Sequence, residues 1–539
     1  MSMIKVLDCT LRDGGRIINC AFKDSYIKEV SSGLAEAKID IVEIGFLRDC
    51  RQTEYLGNST FFTDVEQIVP FVRKDCSTMY VAFIDFGMYD FSSLKEYDGR
   101  SIEGIRVGFT KKDFVQYKAE LIKSLVSVKT KGYKLFIQGV NSLAYSEEEM
   151  LDVVGMVNEI SPFSFGIVDT YGAMYADDLK AVFDLLDKNL SKDIFLDFHS
   201  HNNYQLSFSL SQEMIRLAKD KRHVIIDCTL NGMGKLAGNL NTELLVDYLV
   251  RKCNMDYEFN KICDLIDDYI YPYKENCQWG YSIPSLFSGI YQSHPNNVIY
   301  LLSKFRLQSK DIKNLLASIE PEERTRYNYD NIEKIYVEYC ATNIDDREVL
   351  SYLKEKLSGK EILIIVPGRS LQNFEDKIKQ YSIKEDIFTI SVNYIYEKAD
   401  MLFFGNKKRY LRCGDRNGIE TIITSNIERD DENDKIVNYY DLINRKYKYF
   451  DNSAMMLLCL LRRIGFKKIY LAGFDGFSTD IENNYIDDSF QNVRHVEEFD
   501  SLNNDIICML KDYVSSIQDR SAIEFITPSV YQQMLKETP

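Results

Sequence analysis

Two histidines separated by one residue, His199 and His201, follow the strand-like run Ile194 to Phe198. Residues i and i+2 of an extended backbone project to the same side, so both imidazoles can face one ion. The pair alone fits two hydrogen-bonded surface histidines equally well, and a metal site needs a third ligand. Asp13 offers a carboxylate after the first strand-like run. This donor set suits Mn²⁺ or Mg²⁺, and Zn²⁺ is less favoured because no thiolate accompanies it.

Polar residues also stand at the ends of other strand-like runs. Asp13 belongs to the segment Asp8 to Gly15. Glu43 lies within the second run, and Asn239 closes the segment that follows the eighth. Functional groups of a (β/α)8 barrel gather at the carboxyl ends of its strands. The arrangement therefore predicts one site at that end of the fold.

Short apolar runs rich in β-branched residues alternate with longer amphipathic stretches from residue 4 to about residue 230. Eight runs are present: Ile4 to Leu7, Ile41 to Phe46, Met79 to Ile84, Gly104 to Val107, Lys134 to Val140, Phe163 to Val168, Ile194 to Phe198 and His223 to Cys228. The alternation is typical of βα units around a parallel sheet. It predicts a closed (β/α)8 TIM barrel over residues 1–250. An open doubly wound sheet stays an alternative, because periodicity does not show closure.

The rest of the chain divides into two further parts. Residues 251–358 lose the alternation and are predicted to be a helical extension packed on the barrel. A new βα pattern then predicts a smaller Rossmann-like α/β domain over residues 359–539. Its first strand leads into the turn Pro367 to Ser370, where backbone amides could hold a phosphate. Gly368 and Ser370 are the predicted cofactor-binding residues, although such turns are common in domains that bind nothing.

Composition narrows the classes of partner. The net charge of −16 and the pI of about 5.0 would repel a phosphate backbone, so no nucleic acid is expected. No apolar stretch is long enough to span a bilayer, and the amino terminus lacks the layout of a secretory signal. The 12 cysteines are scattered singly, which favours reduced thiols. We expect a cytoplasmic homo-oligomer without a membrane partner.

The combination of motifs resembles the DRE-TIM metallolyase superfamily over roughly residues 4 to 300. The likeness is carried by Leu11-Arg12-Asp13-Gly14, Glu43, His199-x-His201 and Gly238-Asn239. The superfamily includes hydroxymethylglutaryl-CoA lyase, isopropylmalate synthase and 4-hydroxy-2-oxovalerate aldolase, and the likeness is closest to the last group. It implies a carbon–carbon lyase that uses a divalent metal and acts on a small 2-oxo acid.

The resemblance also implies roles for single residues. The implied metal ligands are Asp13, His199, His201 and, as an additional ligand, Asn239. Arg12 and the metal would polarise the 2-oxo acid, and Glu43 would support Arg12 from beneath. Retro-aldol cleavage leaves a pyruvate enolate, which positive groups stabilise where its charge develops. A surface ion pair with a neighbouring carboxylate is the alternative interpretation of Arg12.

One position departs from the pattern of that group. Its aldolases carry a catalytic histidine three residues after the metal-binding aspartate, and this chain has Arg16 there. The general base is therefore open. Tyr281 resembles the tyrosine that partners that histidine, His294 lies in the same helical segment with a structural role as its alternative, and a metal-bound water is a third candidate. Arg16 could instead bind a substrate carboxylate or phosphate.

The second domain loosely resembles nucleotide-binding domains of bacterial surface-glycan proteins, including sialyltransferase-like folds. The likeness rests on Ile364 to Leu371 and on Gly465 to Gly476. It implies a nucleotide or nucleotide-sugar as ligand, and a part for the enzyme in making an unusual surface sugar. Two other functions stay open. One is Claisen condensation of an acyl-CoA with a 2-oxo acid, and the other is a non-catalytic barrel that carries a nucleotide-binding module.

Overall fold

Parallel strands of the first half of the chain close into a barrel in this computed structural model. The strands are β1 (Ile4–Asp8), β2 (Ile41–Leu47), β3 (Phe61–Phe62), β4 (Met79–Asp85), β5 (Gly104–Phe109), β6 (Lys134–Gly139), β7 (Ser164–Asp169), β8 (Phe195–Ser200) and β9 (Val224–Cys228). Eight of them form the ring, in which β1 pairs with both β2 and β9, and the short β3 adds to β2. This closure confirms the predicted (β/α)8 barrel and excludes the open sheet.

Helices connect these strands and continue through the second half of the chain. The structure describes residues 3–275, 277–304, 307–340, 344–416, 418–480, 483–487, 490, 498–517 and 519–535. The α-helices are α1 (Asp24–Glu36), α2 (Lys111–Gln116), α3 (Lys118–Thr130), α4 (Glu147–Ile160), α5 (Ala176–Asn189), α6 (Ser207–Ala218), α7 (Thr242–Cys253), α8 (Phe259–Leu265), α9 (Tyr271–Lys274), α10 (Ile283–Ile290), α11 (Pro295–Ser303), α12 (Ser309–Ser318), α13 (Pro321–Arg324), α14 (Tyr329–Cys340), α15 (Arg347–Leu357), α16 (Ser370–Asn373), α17 (Glu375–Ser382), α18 (Lys407–Arg412), α19 (Ser453–Ile464) and α20 (Glu498–Ser515). Within these described ranges, no helix combines the length and the apolar character needed to cross a membrane.

The described chain divides into two units. The first comprises residues 1–298 and 320–326, and the second comprises residues 299–319 and 327–539. The division between the units falls within residues 251–358, and the packing predicted for this helical extension stays a prediction. Its later helices bury apolar side chains within the second unit. Leu353 and Leu357 of α15 are fully buried, and the ring of Tyr336 in α14 lies 6.2 Å from that of Phe450.

The second unit contains an open, all-parallel sheet, with seven strands in its described residues. They are β10 (Glu361–Ile365), β11 (Ile387–Val392), β12 (Met401–Phe404), β13 (Glu420–Thr424), β14 (Lys435–Val437), β15 (Lys468–Ala472) and β16 (Ile523–Phe525). Their order in space is β14-β13-β12-β11-β10-β15-β16, so the chain changes direction across the sheet between β10 and β15. Sequence analysis missed β14, because a three-residue strand carries too little periodic signal.

Side chains that point into the barrel form an apolar layer and a polar layer. The apolar cluster consists of Leu7, Cys9, Ile41, Met79, Val81, Phe136 and Ile225. Two residues further along three of the same strands, polar side chains take their place: Glu43, Gln138 and Asp227. Because strand side chains alternate with a period of two, these groups point into the same interior, nearer the carboxyl ends. The polar layer therefore lies directly beneath the predicted site.

Candidate active site at the barrel mouth

Asp13, His199 and His201 meet at the carboxyl end of the barrel strands. Asp13 follows β1, His199 lies at the end of β8, and His201 comes directly after that strand. Asp13 Oδ2 lies 4.0 Å from His199 Nε2 and 3.7 Å from His201 Nε2. One potential ligand atom from each residue lies within 4.8 Å of the others. This spacing allows one divalent cation to contact all three.

The protonation states of the three groups suit a cation. Burial lowers the pKa of His199 and of His201 to about 4, so both rings are neutral near pH 7. Burial alone would raise the pKa of Asp13, but Arg12 and the two histidines hold it well below its ordinary value. Neutral imidazoles and an ionised carboxylate are the forms that bind metals.

Asn239 supplies an independent test of whether these residues fit a metal. A β-bridge pairs Asn239 with His201, and its Nδ2 donates to the carbonyl oxygen of Met233 at 2.9 Å. Its Oδ1 is buried and has no hydrogen-bond partner among the described residues. A buried acceptor without a donor costs free energy, and a cation beside it would satisfy that acceptor. The donor set therefore fits a divalent metal.

A buried ion-pair network orients His199 from beneath. Asp227 Oδ2 lies 2.9 Å from His199 Nδ1 and accepts from Arg106 Nη2 at 2.6 Å. Arg106 is fully buried, and it also lies 2.9 Å from Asp197 and 3.2 Å from Glu43. A carboxylate on Nδ1 fixes both the tautomer and the direction of the ring. The network therefore leaves His199 Nε2 for the metal.

Sequence analysis missed three members of this network: Arg106, Asp197 and Asp227. Each is flanked on both sides by apolar residues of its strand. A charged residue in such a strand is rarely buried unless it is paired, so its presence is the signal that could have found the network. The pairing itself joins strands more than 90 residues apart, so no local pattern predicts which charges meet.

A second group of potential metal ligands lies deeper in the barrel and consists of Cys9, His199 and Asp227. The Cys9 thiol donates to the carbonyl oxygen of Cys228 at 3.3 Å, and burial raises the pKa of this thiol well above its ordinary value. Asp227 is already bonded to Arg106. Because a protonated thiol is a poor metal ligand, the Asp13 group is the better metal site.

Arg12 is held between two carboxylates beside the histidines. Its Nε donates to Glu43 Oε2 and its Nη1 donates to Asp13 Oδ1, both at 2.6 Å. Burial lowers the pKa of Arg12, but the two carboxylates raise it by more, so the guanidinium stays charged. Arg12 is 4% exposed, which excludes a surface ion pair. Its Nη2 bonds to no described residue, and the side chain lines the cavity above the barrel.

That cavity has a volume of about 890 Å³, within the range of about 300–1,000 Å³ that is usual for small-molecule sites. Arg16 lines it as well. The guanidinium of Arg16 lies 3.3 Å from Asp13 Oδ1 and 3.6 Å from Asp85 Oδ2. Two carboxylates therefore pair with Arg16. Its binding of a substrate carboxylate or phosphate stays a prediction.

The two side chains considered as general base occupy different positions. Tyr281 is 52% exposed and is absent from the described lining of the cavity. His294 lines the cavity, and its Nδ1 accepts from the backbone amide of Asn296 at 3.1 Å. In a neutral ring this bond places the hydrogen on Nε2, which makes that nitrogen a donor. The bond to Nδ1 thus does not favour His294 as the base, and the catalytic role of Tyr281 stays a prediction.

The predicted phosphate turn of the second unit has its polar groups committed within the protein. Ser370 donates from its amide at 2.7 Å, and from its hydroxyl, to the carboxylate of Asp475. The Gly368 amide donates to the carbonyl oxygen of Val366 at 2.8 Å. A Cβ at Gly368 would lie 2.2 Å from the carbonyl oxygen of Gly473, so the glycine is needed for close packing of two loops.

Comparison with known proteins finds matches over the barrel. Residues 3–268 match the family described as HMGL-like. A 4-hydroxy-2-oxovalerate aldolase from Carboxydothermus hydrogenoformans is 22% identical over 323 residues, which cover 57% of this chain and 90% of the relative. An oxaloacetate decarboxylase from Mycobacterium tuberculosis is 25% identical over 248 residues, which cover 46% of this chain and 70% of the relative. The carboxyl transferase domain of Rhizobium etli pyruvate carboxylase, solved with pyruvate, is 11% identical with a TM-score of 0.48. The match covers 66% of this chain and 65% of that structure.

Proposed function

We propose that this chain, whose residues 3–268 match the HMGL-like family, is a divalent-metal-dependent aldolase that acts on a 2-oxo acid. One observation carries the proposal. Potential ligand atoms of Asp13, His199 and His201 lie within 4.8 Å of one another, beside Arg12, which lines the cavity. The names of the curated relatives, 4-hydroxy-2-oxovalerate aldolase and oxaloacetate decarboxylase, support chemistry next to a 2-oxo group.

The chain's own residues have defined parts in this reaction. When bound by Asp13, His199, His201 and Asn239, a divalent metal supplies a Lewis acid at the barrel mouth. Arg12 can donate from Nη2 to the 2-oxo oxygen, on which negative charge develops as the carbon–carbon bond breaks. Glu43 and Asp13 bond the other two nitrogens of Arg12, so the guanidinium needs no reorientation during the reaction. Its charge is thus preorganised, which is the condition for electrostatic catalysis.

For the second unit we infer a Rossmann-like fold. The support is its open parallel sheet and the change of direction between β10 and β15, the place where such sheets commonly bind ligands. A nucleotide ligand and a part in making a surface sugar remain predictions. The amide donors on which the nucleotide prediction rested are bonded within the protein.

Exchange of the methyl protons of pyruvate tests the proposal without knowledge of the second substrate. After EDTA treatment and addition of Mn²⁺, we expect the full chain to incorporate deuterium from D₂O into pyruvate, as measured by mass spectrometry. EDTA and the substitution His201→Ala should each abolish the exchange. His223→Ala is a matched control, because His223 accepts from the amide of Met3 before the start of β9 and is not part of the site.

Two results would contradict the aldolase. Exchange no faster than with Mn²⁺ alone would favour the non-catalytic barrel. Release of free thiol from acetyl-CoA that depends on a 2-oxo acid, without exchange of pyruvate, would favour Claisen condensation.

A further inference from the structure

The cavity above the barrel is positively charged, although the chain as a whole is negative. The chain has 66 Lys and Arg residues against 82 Asp and Glu residues. Seven cationic residues line the cavity: Arg12, Arg16, Arg106, Lys111, Lys112, Lys235 and Arg326. Three acidic residues line it: Asp13, Asp85 and Glu322. A wall whose charge opposes that of the whole molecule favours an anionic ligand.

Carboxylates of the barrel neutralise four of the seven cations. Arg12, Arg16 and Arg106 are paired within the network around Asp13 and Glu43, and Lys111 lies 2.7 Å from Glu149. The other three are Lys112, Lys235 and Arg326. Among the described residues, none of these three has a carboxylate within 4.0 Å. Their charge is therefore available to a ligand.

Asn296 connects Lys235 and His294 on the wall of the cavity. Lys235 Nζ donates to Asn296 Oδ1 at 2.8 Å, and the amide of Asn296 donates to His294 Nδ1 at 3.1 Å. Asn296 thus positions both side chains. Burial, with Lys235 and Arg16 nearby, lowers the pKa of His294 to about 4, so this ring is neutral at pH 7. Lys235 is therefore the charged member of this group.

Partial burial of the Lys235 ammonium group favours the binding of an anion. Burial lowers its pKa, and the one hydrogen bond of its ammonium group to a described residue is to the neutral side-chain amide of Asn296. An anion beside a partly desolvated ammonium forms a charge-assisted hydrogen bond, which is about twice as strong as a neutral one. Lys112 and Arg326 are exposed, and both line the same cavity. Exposed charges of this kind attract an anion over about 10 Å at moderate salt.

We infer that the second substrate of this enzyme, an aldehyde in the condensing direction, carries a terminal anionic group that binds Lys235, with Lys112 and Arg326 attracting it into the cavity. This inference rests on the proposed aldolase activity. The anionic group is a phosphate or a carboxylate, since both accept hydrogen bonds from an ammonium group. The volume of about 890 Å³ leaves room for such a substrate beside the 2-oxo acid.

Condensation of pyruvate with three aldehydes tests the inference. The probes are acetaldehyde, succinic semialdehyde and glyceraldehyde 3-phosphate, assayed with the Mn²⁺-loaded full chain. We expect kcat/KM for one of the two anionic aldehydes to exceed that for acetaldehyde by about 100-fold, and the better one identifies the group as carboxylate or phosphate. Raising the salt concentration should lower this preference, because the attraction at the rim is screened.

Substitution of Lys235 tests where the anion binds. Lys235→Met should lower the ratio of kcat/KM for the preferred anionic aldehyde to that for acetaldehyde by about 10- to 100-fold, and Lys235→Arg should restore part of it. A double substitution of exposed residues, Lys112→Gln with Arg326→Gln, should lower the same ratio by about tenfold. Because both side chains are exposed, this variant should fold as the natural chain does. Lys123→Gln is the matched control, because Lys123 is exposed on α3 and does not line the cavity.

Failure of this inference is distinguishable from failure of the aldolase. If pyruvate exchanges its methyl protons but no anionic aldehyde is preferred, the inference is overturned and the aldolase stands. An anionic preference that Lys235→Met leaves unchanged would overturn the assigned binding site. Absence of pyruvate exchange would contradict the proposed aldolase activity itself.

Discussion

Arg106 is the largest side chain that the barrel buries completely. It contacts carboxylates from three other strands, and one of these, Asp227, also bonds His199. A buried charge of this kind costs more free energy to desolvate than a single pair returns, so it gives little net stability. Its consequence is positional, because it holds the carboxylate that directs a metal-binding ring.

Substitution of Asp227 by Asn tests this positioning. The amide cannot accept from both Arg106 and His199 with the strength of a carboxylate, so His199 loses part of its orientation. We expect Asp227→Asn to weaken Mn²⁺ binding by about 10- to 100-fold, as measured by isothermal titration calorimetry. Asp247→Asn on α7, where the carboxylate pairs with the exposed Arg251, should leave Mn²⁺ affinity unchanged. Equal affinities in the two variants would show that Asp227 does not position the ring.

At the scale of the element, the loop that follows β9 depends on one glycine. Gly238 has a φ of +75°, and a Cβ there would lie 1.9 Å from the carbonyl oxygen of Gly232. That carbonyl accepts from the amide of Asn239 at 3.1 Å, so the close approach sets the position of the predicted metal ligand. The loop can take this shape only because residue 238 has no side chain.

Gly238→Ala should therefore affect both stability and metal binding. Positive φ costs a non-glycine residue about 1–2 kcal/mol, and the overlap adds a further cost of about 1–3 kcal/mol. We expect the variant to lose about 2–5 kcal/mol of unfolding free energy in urea and to bind Mn²⁺ more weakly.

Gly99→Ala separates these two causes. Gly99 has a φ of +82°, and no atom lies within 4 Å of the position that its Cβ would take. This variant should lose only the cost of the backbone angle, about 1–2 kcal/mol, with unchanged Mn²⁺ affinity. Equal effects of the two substitutions would show that the overlap at Gly238 is relieved without displacing Asn239.

For the molecule as a whole, closure of the barrel involves a buried carboxyl group at the end of the first strand. Asp8 accepts from the hydroxyl of Thr242 in α7 at 2.7 Å and from the amide of Thr10 at 2.9 Å. Burial raises the pKa of Asp8 from 3.8 to about 6, even though these donors lower it. The folded chain therefore holds this proton to a higher pH than the unfolded chain does.

The raised pKa makes stability depend on pH. Between about pH 4 and pH 6 the unfolded chain has already released the proton that the folded chain keeps, so the free energy of unfolding falls as pH rises. Two pKa units correspond to a loss of about 3 kcal/mol at most. Above about pH 7 this contribution no longer changes.

Asp8→Asn isolates this contribution, because every other titrating group is common to both proteins. We expect the stability of the variant relative to the natural chain to increase by up to about 3 kcal/mol between pH 4 and pH 7. Urea unfolding across this range measures the difference. Parallel curves for the two proteins would show that Asp8 titrates equally in the folded and unfolded chains.

Local patterns were sufficient for much of this protein. Apolar alternation predicted the barrel strands, and local sequence also explains the start of α4, where Ser146 forms a capping box with Glu149. The predicted metal-site residues His199 and His201 are brought together because a strand directs residues i and i+2 to one side. Asp13 joins them because the carboxyl ends of parallel strands share one edge. These rules act over a few residues or follow from the fold class, so they can be applied to the amino-acid sequence alone.

The tertiary structure alone decided the rest. Closure of the ring, the division of residues 251–358 between two units and the pairing of Arg106 each join segments that are distant in sequence. Likewise, only the folded chain places Asn296 between Lys235 and His294, or commits Ser370 to Asp475. Which partner a polar group meets depends on how the elements pack. Sequence spacing carries no record of that choice, because a buried charge or amide accepts any complementary group that packing brings within reach.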